Sequence, residues 1–164
     1  MRYPILPEEE RAALLRRAYL TWVSVIATEV IERYGDEGRQ VIMNALYKQA
    51  IKDGPRMVER WKPEKDMIGI IRTWFTINQM WDDGGFEVDI KELSAKRAVL
   101  YIYRCPLAEQ WEKMEAPAGM CELWNSYGDT ILKGIHPDFA IKRITNLYKG
   151  DPCCHEIWEI EESC

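Results

Sequence analysis

The stretch FEVDIKELSAKRAVLYIY, residues 86–103, decides the fold. Apolar and charged residues alternate over 86–91, which is the period of a half-exposed strand. Residues 93–96 suit a turn, and residues 97–103 then place apolar side chains on both faces of a second strand. This second pattern predicts a central strand covered on both sides, paired antiparallel with the first.

The residues before these strands, 1–81, have the periodicity of helices. Pro7 and the three glutamates after it suit a first helical turn, because proline is tolerated there and acids complement the helix dipole. Apolar residues such as Trp22 then recur every three or four positions, which predicts a helix up to Tyr34 that ends at Gly35. The other predicted elements of this half are a helix over 37–52 ended by Asp53-Gly54-Pro55, a short helix over 55–61, a helix from Asp66 to about Met80, and a turn over 82–85.

The residues after the two strands predict two more helices and two more strands. The helices are expected over 106–114 and 120–133, and the strands over 140–148 and 153–160, paired as a hairpin. This order is typical of an α+β domain: a helical half over 1–81, then a mostly antiparallel four-stranded sheet, β-β-α-α-β-β over 84–160, covered by helices. At 164 residues we expect a single domain, 1–164.

Composition restricts the partners. A net charge of −5 disfavours nucleic acid and anionic membranes, which require a basic surface. No run of 18 apolar residues exists and the N-terminus has no signal-peptide core, so we expect a cytoplasmic protein that does not enter the membrane, with its five cysteines reduced. Seven tryptophans and eight tyrosines suit a thick core or an aromatic pocket for a small molecule, and a tryptophan-rich face would also suit a homo-oligomer contact.

Four of the five cysteines lie between residues 100 and 160. Cys105 stands between a predicted strand and a helix, where the helix N-terminus favours the thiolate, so it is the best candidate nucleophile. Cys121 lies near the start of the next helix, and Asp129 lies two turns further on, where it could line the same groove as a general base. Cys154 begins the last strand and faces away from Cys153.

A metal centre is an open alternative. The cysteine spacing lacks the paired C-x-x-C pattern of zinc ribbons, but Cys105, Cys121 and Cys154 together could hold zinc or an iron–sulfur cluster. No cofactor is required by the sequence, and no phosphate-binding loop or serine-hydrolase motif is present.

The order Arg104-Cys105-Pro106, Cys121, Asp129, His136-Pro137 and Gly150-Asp151-x-x-Cys154 resembles the L-2-amino-thiazoline-4-carboxylic acid hydrolase-like family. The resemblance covers Leu100 to Ile160, and His136 stands where the family suggests asparagine. It implies hydrolytic opening of a cyclic amidine, in which water adds to the ring carbon and the carbon–sulfur bond breaks. The residues expected to be catalytic are Cys105, Cys121, Asp129 and Cys154, and those expected to bind the substrate are Arg104, Trp124, Asp151 and His155.

Three functions therefore remain open. The first is a small-molecule hydrolase with a thiol-rich pocket. The second is a noncatalytic ligand-binding or sensor domain, because the closing hairpin with its glycine and cysteine is also similar to 4-vinyl-reductase-type sensor domains. The third is a metal or iron–sulfur accessory protein.

Overall fold

Four helices and a four-stranded sheet make up the described part of the chain, residues 7–78 and 85–161 of a computed structural model. The helices are α1 (Glu8–Trp61), α2 (Met67–Asn78), α3 (Pro106–Lys113) and α4 (Met120–Lys133). The strands are β1 (Glu87–Leu93), β2 (Arg97–Arg104), β3 (Phe139–Thr145) and β4 (Cys154–Ile160), with a short 3-10 turn at Leu147–Lys149. The predicted α+β class is confirmed, and most of the predicted turn at 82–85 lies outside the described residues.

The sheet has the strand order β1-β2-β4-β3, and all neighbours are antiparallel. The predicted antiparallel pair and the predicted final hairpin are both confirmed. Leu100 of β2 lies opposite Glu156 of β4, and Ala98 lies opposite Trp158. Because side chains alternate along a strand, this register places Leu100, Glu156 and Trp158 on one buried face of the sheet.

The second face of the sheet is accessible, and here the prediction of a strand covered on both sides is wrong. Val99 and Tyr101 of β2 are only half-buried, and Tyr103 is 49% exposed. Ile144 of β3 is similarly exposed. β2 is central, as predicted. The apolar side chains on its accessible face pack mainly against neighbours on the same face, for example where Tyr101 stacks on His155 with 4.4 Å between ring centres.

Helix α1 bends at Gly35 and continues to Trp61. Gly35 has φ 56° and ψ −134°, a conformation that glycine adopts readily, so the predicted break is confirmed as a kink between residues 8–34 and 36–61. The predicted end at residues 53–55 is wrong, because the helix runs through Pro55. Gly54 is buried there against Gly134 at the end of α4, and this close helix contact outweighs the local preference to stop.

The face of α1 that packs is not its most apolar one. The buried residues before the kink include Ser24, Ala27 and Ile31, whereas Trp22 is 72% exposed and Ile26 is 63% exposed. Small side chains on the contact face let α1 approach its neighbours closely. The predicted helical periodicity is therefore correct, but it does not identify the buried side.

Two clusters of buried apolar residues form the core. One joins α2, α4 and the sheet around Met67, Leu132 and Trp158, and the other joins α1, α3 and α4 around Trp111 and Leu123. Asp66 caps α2, because its Oδ1 accepts a hydrogen bond from the backbone N–H of Gly69 at 2.9 Å. Among the described helices, none has the length and apolar character that a membrane crossing requires.

Candidate functional site

A cavity of about 90 Å³ lies between the buried face of the sheet and helices α2, α3 and α4. We call it the thiol cavity, because three cysteines line it. The side chains around it are Trp74, Ile77, Asn78, Phe86, Ile102, Cys105, Leu107, Trp111, Cys121, Trp124, Asn125, Tyr127, Gly128, Asp129, Leu132, Arg143, Thr145, Asn146, Cys154 and Glu156. Most of the wall is apolar or aromatic, and its charged groups lie where α4 meets β3 and β4.

The structure brings Cys105, Cys121 and Cys154 together from three separate elements. Cys105 is the N-cap residue of α3, Cys121 is the second residue of α4, and Cys154 is the first residue of β4. The Cys121 thiol lies 3.7 Å from Oδ1 of Asn146, and the Cys154 sulfur accepts a hydrogen bond from the backbone N–H of Leu147 at 3.3 Å. Two of the sulfurs are therefore held by the segment that follows β3.

Burial raises the pKa of all three thiols, which opposes the thiolate expected at Cys105. Burial raises the pKa of Cys105 to about 11, and the backbone N–H groups of Leu107 and Ala108 lower it only in part. Burial, and then the nearby Cys105 and Cys154 sulfurs, raise the pKa of Cys121 to about 12. Burial also raises the pKa of Cys154. The helix N-terminus acts on Cys105 in the expected direction, but desolvation is the larger effect.

Arg143 connects two carboxylates at the polar side of the thiol cavity. Its Nη1 and Nη2 donate to the two oxygens of Asp129 at 2.8 and 2.7 Å, and its Nε donates to Glu156 Oε1 at 3.2 Å. The other oxygen of Glu156 accepts from Trp158 Nε1 at 2.8 Å. Burial alone lowers the pKa of Arg143, but the hydrogen bonds to Asp129 and the charges of both carboxylates outweigh it and raise the pKa.

This arrangement bears on the predicted role of Asp129. Asp129 lines the thiol cavity together with Cys121, but both of its oxygens are engaged by a guanidinium that stays charged. A carboxylate bound in this bidentate way holds the guanidinium in one orientation. The contacts support Asp129 as the group that orients Arg143 more than as a general base.

Of the predicted binding residues, Trp124 lines the thiol cavity and the other three do not. Arg104 is paired with Glu109 on the surface at 2.7 Å. Asp151 accepts a hydrogen bond from the backbone N–H of Asn146 at 2.7 Å, and so holds the turn that carries Asn146. His155 stacks on Tyr101 on the opposite face of the sheet, because adjacent residues of a strand point to opposite sides.

Arg143 and Glu156 are site residues that the sequence argument missed. Both carry a charge at a position of the strand that faces the core, and they are direct partners across the β3–β4 pair. Glu156 follows Cys154 by two residues, so the period of a strand already places the two on one face. A charged residue on the apolar side of a strand is the signal that would have identified them.

The structure does not support the metal alternative. Across residues 7–78 and 85–161, no group of three His, Cys, Asp or Glu side chains is arranged to hold a metal ion. Cys105, Cys121 and Cys154 all line the thiol cavity, but they are not such a group.

Fold and site together define an α+β domain whose cavity lies between helices and one face of an antiparallel sheet. The family model described as L-2-amino-thiazoline-4-carboxylic acid hydrolase matches residues 13–158, and the chain therefore belongs to this family. The resemblance of its motifs to that family is thus confirmed. No match was found among curated proteins.

Two solved structures align with this chain. The phenol-responsive sensory domain of the transcription activator PoxR, solved with phenol, aligns with a TM-score of 0.59 and 12% identity over 86% of this chain and 74% of that chain. A trafficking protein particle complex subunit 3 from Naegleria fowleri, covalently bound to palmitic acid, aligns with a TM-score of 0.46 and 15% identity over 94% and 98%. At these identities the likeness to the sensory domain concerns the fold alone.

Proposed function

We propose that this chain binds a small cyclic amidine in the thiol cavity and opens its ring by hydrolysis. The observation that carries the proposal is the convergence of three thiols with the Asp129–Arg143–Glu156 cluster in one aromatic-walled cavity. The family description supports a hydrolytic reaction on a ring of this kind.

The charges of the thiol cavity suit an amidine that carries a carboxylate. Asp129, Arg143 and Glu156 are the charged side chains of the described lining, and they leave a formal excess of one negative charge. A protonated amidine is planar and has several N–H donors, so a carboxylate can bind it strongly. Arg143 has five N–H donors, of which its contacts to Asp129 and Glu156 use three, so the others can bind a carboxylate on the ligand.

The raised pKa of the thiols favours a mechanism in which the substrate takes part in its own activation. With a pKa of about 11, Cys105 is a thiolate in only about one molecule in ten thousand at pH 7. Once the bound amidinium has lost its ring N–H proton to water, its ring nitrogen is a base and can accept the Cys105 proton while the sulfur attacks the ring carbon. The ring carbon–sulfur bond then breaks, and the ring sulfur leaves as a thiol after taking up a proton. Water releases the bound carbon as a urea group and returns the hydrogen to Cys105.

The proposal is tested by turnover of 2-amino-thiazoline-4-carboxylate. Each ring opening produces one free thiol, which a thiol reagent measures with substrate in large excess over protein. We expect Cys105→Ser to lose about 100-fold or more in rate. The matched control, Cys153→Ser, changes a thiol that precedes β4 and does not line the thiol cavity, and it should keep full activity. Absence of turnover by the unaltered chain, or full activity in Cys105→Ser, would overturn the proposal.

A noncatalytic ligand-binding domain is the second candidate. It is favoured by the protonated thiols and by the engagement of both carboxylates with Arg143. In that case 2-amino-thiazoline-4-carboxylate should raise the melting temperature of the chain and be recovered intact. The same samples, examined by mass spectrometry after incubation, separate the two functions.

A further inference from the structure

A second cavity, of about 180 Å³, lies on the other side of Trp111 and Trp124 from the thiol cavity. It is bounded by both parts of α1, before and after the kink at Gly35, and by α3 and α4. We call it the α1 cavity. Its walls include Leu20, Ala27, Leu46, Trp111 and Leu123.

The α1 cavity offers a ligand almost no polar group. Ser24 is the polar residue of its described lining apart from the indole N–H groups, and Ser24 Oγ already accepts a hydrogen bond from Trp111 Nε1 at 3.1 Å. A water molecule needs two to four polar partners to be held inside a protein, so it gains little here. An apolar cavity of about 150 Å³ is large enough to stay dry and bind benzene.

We propose that the α1 cavity is a binding site for a small uncharged hydrocarbon group, either a single aromatic ring or a short alkyl chain. The walls provide dispersion contacts and no charge, so the site selects against ligands that must keep a hydrogen bond or a counter-ion. This contrasts with the thiol cavity, where Asp129, Arg143 and Glu156 favour charged groups. The inference does not depend on the hydrolase proposal.

The kink in α1 makes this space. Ala27 and Leu46 come from opposite sides of Gly35, and the bend lets both approach α4 without filling the volume between them. Gly38 supports the bend: a Cβ there would lie 2.5 Å from the carbonyl oxygen of Val30, so a side chain at this position would force the two parts apart. Residues from both sides of the kink thus share the wall of one cavity.

The test is thermal unfolding of the full chain with toluene, phenol or benzoate at equal concentrations. We expect toluene to raise the melting temperature in a concentration-dependent way and phenol to raise it less. Benzoate should not raise the melting temperature by binding in the α1 cavity. Ala27→Leu should abolish the toluene shift, because the added carbon atoms occupy the cavity. Cys154→Met, which fills space in the thiol cavity, should leave the shift intact.

Methyl NMR provides a second measurement if Ala27→Leu does not fold. Toluene should then shift the methyl signals of Leu46 and Leu123 in the unaltered chain, and Val23→Phe should suppress these shifts. The proposal is overturned if toluene neither stabilises the protein nor shifts those signals. It is equally overturned if the stabilisation survives Ala27→Leu and disappears in Cys154→Met, because the ligand then binds in the thiol cavity.

Discussion

Replacing Arg143 by methionine should destabilise this protein strongly. The change leaves Asp129 and Glu156 without the guanidinium that both of them bind. Removal of one partner from a buried ion pair typically costs about 3–5 kcal/mol. Here the side chains of Arg143, Asp129 and Glu156 are 27%, 30% and 9% exposed, so water compensates part of the loss. We therefore expect about 3 kcal/mol, which corresponds to a fall in melting temperature of about 6–12 °C.

Neutralising the carboxylates should restore part of this loss. The triple variant Arg143→Met, Asp129→Asn, Glu156→Gln has no charge left in this cluster to be desolvated. We expect its free energy of unfolding to be at least about 1 kcal/mol higher than that of Arg143→Met alone. The assay is urea unfolding followed by tryptophan fluorescence at pH 7. Arg72→Met is the matched control, because the Arg72–Glu64 ion pair is exposed and should contribute less than about 1 kcal/mol.

Two results would refute this reasoning. If Arg143→Met costs no more than Arg72→Met, the cluster is effectively solvated and has no special role in the site. If Arg143→Met is costly but the neutral triple variant recovers nothing, the loss comes from the packing of the Arg143 side chain and not from unpaired charge.

Three further predictions follow from the thiols and from the second core. Cys105 should react with iodoacetamide at pH 8 at least about 10-fold more slowly than Cys153, because its raised pKa removes the thiolate. Mass spectrometry of the separated peptides measures both rates, and equal rates would contradict a pKa of Cys105 raised by burial. The free energy of unfolding should fall between about pH 9 and pH 11, because the unfolded chain loses the thiol protons that the folded chain retains. This fall with pH should be shallower in Cys105→Ala, and an identical fall in the two proteins would exclude a contribution from this thiol. Ser24→Ala should lower the free energy of unfolding, measured in urea, by about 1–2 kcal/mol, because the buried Trp111 N–H loses its acceptor. A decrease below about 0.5 kcal/mol would show that another group accepts this hydrogen bond.

Much of the candidate site could be predicted because its residues stand at the ends of elements. Cys105 follows a strand, Cys121 lies in the first turn of a helix and Cys154 begins another strand, and turn and capping patterns mark these three boundaries. Their roles in binding and catalysis remain predictions. His155 is adjacent to Cys154 in sequence, but the alternation of the strand directs it to the other face of the sheet.

Other features could not be predicted, because they depend on residues distant in the chain. The helix continues through Gly54 and Pro55 because Gly54 packs against Gly134, a contact that no local rule contains. Trp22 is exposed for a similar reason. Small residues of α1 permit the closest approach of the neighbouring helix α4, so the face of α1 with small residues is the one that packs, and Trp22 lies outside it.

By itself, the sequence determined the α+β order, the antiparallel pairs, the break at Gly35 and the family, because periodicity, capping and motif spacing are local properties of the chain. Only the tertiary structure decided the surroundings of the thiols in the thiol cavity. The proton affinity of Cys105 depends on how completely packing removes water from its sulfur, and this reverses the effect of the helix N-terminus. The contact of Arg143 with both Asp129 and Glu156 likewise exists only because β3, β4 and α4 meet at one place.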